Sequence, residues 1–397
     1  MTTTSQKRRA YRGPVLFSHG FRVFFLAAGI WALLAMALWL MILARGWELP
    51  TRLSPGAWHR HETLFGYALA VLAGFLLTAV PNWTGRLPVI GWPTAGLAAL
   101  WLLGRLTVLG SDFVPAWLAF LGAMLFSSAL LALVGREVVS GRNWRNLKVV
   151  AALAVITLAE ALFLAGEFLG MGSEGFGLRL GAAAIVWMIS LVGGRVVPSF
   201  TRNWLMRQGG GRLPAPYGRF DSLVMVVATL ALSVWVVAPH GSMGAIFAAV
   251  AGGLHLWRLA RWAGWRAFGE PLVWILHMAY LFVPVGFFML ALGHWGMGAS
   301  GPGAVPHGWS AGAILLMTLA MMTRASLGHS GRMLTATPVV IALYVVALLT
   351  SLTRIAAEFA GNPMWLLDLS AGLWLLTFTL YLAGFWPILS RPREHAG

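Results

Sequence analysis

Twelve long apolar stretches follow one another along the 397-residue chain, separated by short loops. A helix that crosses a bilayer needs about 20 apolar residues at about 1.5 Å rise each. The stretches read as spans over Val23–Ala44, His61–Val80, Pro93–Leu109, Ala116–Val134, Val149–Phe168 and Leu180–Val197. They continue over Leu223–Ala238, Met243–Leu259, Leu272–Leu292, Val305–Leu327, Val339–Phe359 and Leu366–Leu389. The division between the seventh and eighth rests on Pro239-His240-Gly241. In lipid each segment must pair its own backbone polar groups, so the pattern predicts an all-α polytopic membrane protein. Charged residues make up only 10% of the chain, against about a quarter in a soluble domain. That is too little polar material to clothe a water-facing surface.

Loop charge supplies the orientation. With the N-terminus inside, 22 of the 28 Lys and Arg fall on the inner side. The outer side holds only Arg45, Arg52, Arg60, Arg105, Arg179 and Arg354. A missed or extra span would scramble this bias, so both termini are expected in the cytoplasm. The formal charge of +16 thus sets topology and favours anionic headgroups; it does not point to nucleic acid. The basic flank Lys7, Arg8, Arg9 and Arg12 resembles that of a signal peptide. The apolar run behind it is too long for a signal core and is followed by Arg45-Gly46-Trp47-Glu48, so it reads as a retained first span. The expected organisation is a cytoplasmic segment over 1–22, one twelve-helix transmembrane domain over 23–389 and a cytoplasmic tail over 390–397. The stretch from Pro198 to Asp221 is expected to be a flexible inner loop.

A weak echo runs through the chain. The second span ends in Val80-Pro81-Asn82-Trp83-Thr84, the sixth in Val197-Pro198-Ser199-Phe200-Thr201, and the tenth in Met322-Thr323-Arg324. Three four-helix units would explain it; so would the ordinary use of Pro and basic residues as helix stops.

The histidines carry most of the chemistry. There are no cysteines, so any metal must use His, Met, carboxylate or backbone ligands. His19, His240, His294 and His395 lie in connections or the tail, where a solvated residue is the simpler reading. His59 and His61 stand in Trp58-His59-Arg60-His61-Glu62, denser than an interfacial belt requires. Two residues apart, they share a face only in an irregular first turn. His307 opens the tenth span at similar depth, and a pair from two helices could hold a haem between them. His255, His277 and His329 are placed nearer the inner side on three helices. Together they could form a three-nitrogen copper or haem-edge site, although a single buried His bonded to a carbonyl is the commoner case. Glu160 is the one acid placed near mid-membrane, where it could orient a ligand or relay protons. Glu62, Arg258, Tyr280 and Arg324 are further candidates for such supporting roles. No phosphate-binding Gly-Lys-Ser/Thr loop and no His-Glu-x-x-His run occurs, which disfavours an ATP-driven pump and a metalloprotease of that type.

The sequence resembles the NnrS family of bacterial membrane proteins. The matching stretches are Gly20-Phe21-Arg22-Val23-Phe24-Phe25, Trp58-His59-Arg60-His61-Glu62 and Gly74 through Gly85. They continue with Gly194 through Asn203, Leu276-His277-Met278-Ala279-Tyr280 and Met322 through Arg332. Val23 stands where the family usually has Pro, which touches a helix start more than the chemistry. The resemblance implies a twelve-helix protein of the bacterial cytoplasmic membrane that binds haem (here expected to be haem b) and copper. It further implies action in the response to nitric oxide, often beside denitrification. An oxidoreductase directed at nitric oxide would also need an electron donor. The family's histidine positions fall on His59, His61, His255, His277, His307 and His329. The rival readings are a small-molecule or metal transporter and a non-catalytic partner of other metalloenzymes.

Overall fold

The computed structural model describes residues 11–297, 301 and 303–393. His395 and the basic residues Lys7, Arg8 and Arg9 lie outside the described residues. Twelve helices are long and apolar enough to cross a membrane. The first four are α1 (Gly20–Arg45), α2 (Pro55–Thr84), α3 (Trp92–Leu109) and α4 (Ala116–Ser140). Next come α5 (Leu147–Leu169), α6 (Glu174–Arg207), α7 (Arg219–Val237) and α8 (Ser242–Ala260). The last are α9 (Pro271–His294), α10 (Gly308–His329), α11 (Pro338–Phe359) and α12 (Met364–Ser390). Each of the twelve expected spans has its helix, and no strand occurs among the described residues.

Burial separates inner from outer helices. In the apolar windows of α2, α9 and α10, 78%, 72% and 72% of residues are buried, against 33% in α1, α3 and α11. The outer helices expose Leu102, Leu106, Val345 and Leu349, the side chains that lipid would cover.

The described chain divides into two compact units, where the echo suggested three. The first takes residues up to Gly181 together with Met321–Leu334 and the chain from Phe378; the second takes Ala182–Ala320 and Thr335–Thr377. In the first unit α1 packs on α2, α3 on α4, and α4 on both α2 and α5. In the second unit α8 packs on α7 and α9, and the start of α10 packs on α9 and α11. Sequence neighbours therefore pair through short loops, as in other helical bundles.

Three local expectations need correction. Pro81 and Pro198 do not stop their helices: α2 runs on to Thr84 and α6 to Arg207. A bilayer penalises unpaired backbone more than it penalises a kink, so Pro is tolerated inside a span. The inner loop thereby shrinks to residues 208–218. Third, Arg22, Arg105 and Arg258 are buried, so they are not free loop charges. Arg22 caps the end of α12, donating to the carbonyls of Ile388, Leu389 and Arg391 at 3.1, 2.8 and 2.6 Å. Removing all three from the loop tally leaves its sign unchanged.

Two helices contain a π-helical segment, Glu62–Ala68 in α2 and Gly308–Ile314 at the start of α10. Each follows directly on a histidine, His61 or His307. Each also has a carbonyl held by a side chain from the next span. Trp101 Nε1 donates to Gly66 O at 3.0 Å, and Ser351 Oγ to Ala311 O at 2.7 Å. Single π turns inside α-helices occur often at functional sites.

Candidate metal centre and a second polar cluster

In the first unit four spans converge on one buried polar group. Glu62 accepts from Trp31 Nε1 of α1 at 2.8 Å and from Arg105 Nη1 of α3 at 2.9 and 2.8 Å. His61 Nδ1 lies 2.9 Å from the same carboxylate. An ionised carboxylate only accepts, so the Nδ1 hydrogen of neutral His61 points to Glu62 and Nε2 keeps its lone pair. Nε2 lies 3.7 Å from Glu160 Oε1 of α5, and Arg105 Nη2 lies 3.9 Å from that oxygen. His61, Glu62, Arg105 and Glu160 are each at most 1% exposed. Neither His61 Nε2 nor Glu160 Oε2 has a hydrogen-bond partner. Phe65 and Phe163 flank the imidazole, with centroids 5.5 and 5.7 Å away.

Gly66 makes the cluster possible. A Cβ there would lie 2.6 Å from Glu62 Oε2 and 2.9 Å from both Arg105 Nη1 and Trp31 Nε1. We expect Gly66→Ala to split the Trp31–Glu62–Arg105 contacts. The measurement is Trp emission and thermal unfolding in detergent, and an unchanged profile would refute the packing described.

The second unit holds a different cluster. Arg258 of α8 donates through Nε to Asp221 Oδ1 at 2.8 Å and through Nη1 to Ser190 O at 3.0 Å and the Tyr280 hydroxyl at 2.9 Å. Tyr280 in turn lies 2.9 Å from His255 Nδ1. His255 stacks on Phe287 and its Nε2 has no hydrogen-bond partner. Trp262 meets Tyr280 edge-on at 4.5 Å. Arg258 reaches Ser190 and Tyr280 past Gly194, where an added Cβ would collide with Nη2.

The other expected residues are distributed as follows. His59 does not join His61; it is half-buried and stacks on Trp39 with centroids 4.6 Å apart. Once the helix is regular the two point to different faces. His277 lies in the second unit, 2.8 Å from Thr201 Oγ. His329 belongs to the first unit, against Phe21. Among the described residues no three His, Asp or Glu side chains are arranged to hold one metal ion. His307 Nδ1 lies 2.7 Å from Glu358 Oε2. Burial holds this imidazole below its ordinary pKa, against the pull of the Glu358 carboxylate. Arg324 lies on α10, partly buried.

Sequence reasoning missed Trp31, Arg105, Asp221 and Glu358. For Arg105 a partial signal existed: it stands alone in the apolar run Trp101–Leu109, close enough to the helix end to face either headgroups or the bundle. Trp31 carried no such signal in a run of apolar residues.

The fold and these clusters define a class: an all-helical, multi-pass membrane protein with buried histidine–carboxylate and histidine–tyrosine–arginine groups inside its bundles. Within that class, the sequence model of the NnrS protein family matches residues 15–393, and the chain belongs to the NnrS family. No curated protein shows significant similarity to it.

The residues fit metal chemistry in a restricted way. A ligating His commonly gives its second nitrogen to a carboxylate or another polar group. His61 with Glu62 and His307 with Glu358 have that form, and His255 with Tyr280 has it in the tautomer whose Nδ1–H donates to the hydroxyl. Each would present one imidazole to a haem iron or a copper ion if that group were bound there. The expected three-nitrogen set of His255, His277 and His329 is not assembled among the described residues.

Proposed function

We propose that this protein binds haem b and copper in a bacterial cytoplasmic membrane and acts on nitric oxide or a derivative, by binding, detoxification or redox conversion. Membership in the NnrS family supports the general role. The observation that carries the reading to residues is the pair of buried imidazoles, His61 and His255, each tied at Nδ1 and unpartnered at Nε2. An imidazole inside a span is costly unless it is paired or ligating. In this proposal His61 serves copper, while His255 and the half-buried His307 are the candidates for haem. His59, His277 and His329 support the sites without forming one. Bound haem iron and copper would supply electron transfer and open coordination positions for a small gas. The protein orients the imidazoles through Glu62, Glu358 and Tyr280, and Arg258 fixes Tyr280. Turnover would draw on an electron donor, and in this reading both termini lie on the cytoplasmic side.

Purified full-length protein should show a Soret band and contain both iron and copper. His255→Ala should weaken or shift that band and leave copper content unchanged. Protein with neither metal and no Soret band would sink the proposal and favour transport.

A further inference from the structure

We propose that Glu160 and His61 are the two protein ligands of a single metal ion of the copper class, with Glu62 and Arg105 as positioning residues. His61 Nδ1 is committed to Glu62, so Nε2 presents a lone pair towards Glu160. Glu160 faces it with a carboxyl group, which becomes an acceptor once a bound cation displaces its proton. The imidazole lone pair and the carboxyl thus face each other at 3.7 Å, too far for a hydrogen bond and fully buried. One metal ion between them would ligate both groups, the unpartnered Nε2 included. Two metal–ligand bonds of about 2.0–2.2 Å span such a gap.

Charge points the same way. Glu62 and Glu160 are two carboxylates served by one guanidinium, Arg105, which bonds Glu62 and stays 3.9 Å from Glu160. With Glu160 ionised the group carries one negative charge in excess, which a bound cation offsets. Imidazole and carboxylate suit first-row metals, and copper(II) binds such donors most strongly among them. The packing decides between ion and macrocycle. Phe65 and Phe163 flank the imidazole and Glu160 stands 3.7 Å from Nε2, so a porphyrin plane there would meet these side chains, while a single ion matches the separation of the two donors. Among the described residues His61 and Glu160 supply two donors, so the remaining positions would be filled by small exogenous ligands.

This inference rests on the metalloprotein reading only for its choice of copper. The test uses full-length protein in detergent, stripped with chelator and titrated with Cu2+. Binding is read by metal analysis and by the nitrogen coupling in the copper EPR spectrum. Wild type should take up one ion with a single imidazole nitrogen. Glu160→Gln, which keeps the shape and removes the charge, should weaken binding about tenfold or more. Glu160→His should restore binding and add a second nitrogen coupling. Wild-type affinity and an unchanged spectrum in Glu160→Gln would overturn the proposal. If Glu160→Gln does not fold, Glu160→His decides, since an unchanged nitrogen pattern there overturns it equally. Haem-loaded wild type that takes up no Cu2+ overturns this site and leaves the haem reading standing. One bound copper without a Soret band does the reverse.

Discussion

Replacing Arg105 by Met should destabilise the first unit by about 3–5 kcal/mol, the usual cost of breaking a buried ion pair from one side. Arg105 makes two short bonds to Glu62 inside the bundle and is 1% exposed. Without it Glu62 keeps only Trp31 and His61, and Glu160 loses its nearest guanidinium. Pairing Arg105→Met with Glu62→Gln should recover much of the loss, because it removes the stranded charge together with its partner. Thermal unfolding of the two variants and of Glu62→Gln alone completes a double-mutant cycle. Equal stability of Arg105→Met and wild type would show that the pair is not formed in the bilayer protein. Exposed ion pairs give only about 0–1 kcal/mol, so the size of the effect distinguishes the buried arrangement from the loop charge that the sequence suggested.

The second large effect is expected at Arg258. Its guanidinium serves Asp221, a backbone carbonyl and the Tyr280 hydroxyl at once. Arg258→Met leaves Asp221 with the Gly218 N–H and the more distant Arg261, and the Ser190 carbonyl with one donor fewer, so a loss of about 3 kcal/mol is expected. Arg258→Lys should rescue little of it. An ammonium is a point charge and cannot reproduce the planar fork that reaches three acceptors. The same substitutions have a second readout. Tyr280 holds His255 Nδ1, so moving Tyr280 should change any haem spectrum that His255 supports. Lys rescue of both stability and spectrum would argue that charge alone matters at this position.

The fold was legible because its strongest determinant is local. Each apolar run is long enough to demand a helix, and all twelve form. Helix ends were less legible, since Pro81 and Pro198 look like stops in a soluble chain and are tolerated in a span. The candidate centre was legible in part. His61, Glu62 and Glu160 were recognisable because ionisable residues in apolar runs are expensive. Their mutual arrangement was not, because it depends on how four helices rotate about their axes, and periodicity in a span apolar all round does not fix that rotation. The near-uniform apolarity of α1 likewise concealed Trp31. Arg105 and Glu358 lie within a turn or so of a helix end, where a charged residue can point either to headgroups or inward. Only the partners decide: Glu62 for Arg105 and His307 for Glu358.

The π-helical segment after His61 has a consequence for how this centre tolerates change in chain length. Such a segment holds one residue more than an α-helix over the same hydrogen-bonded course. Its effect is a phase offset between the two ends of α2. Residues below Ala68 are turned by roughly 100° relative to where an uninterrupted helix would set them, the angle that one residue subtends. His61 faces Glu160 only with that offset in place. A one-residue deletion anywhere in Glu62–Ala68 would therefore keep a membrane-spanning helix, keep its hydropathy, and still swing the imidazole away from the carboxylate. The equivalent segment after His307 puts the same condition on the second unit. In both units the geometry depends on a count of residues as much as on their identity.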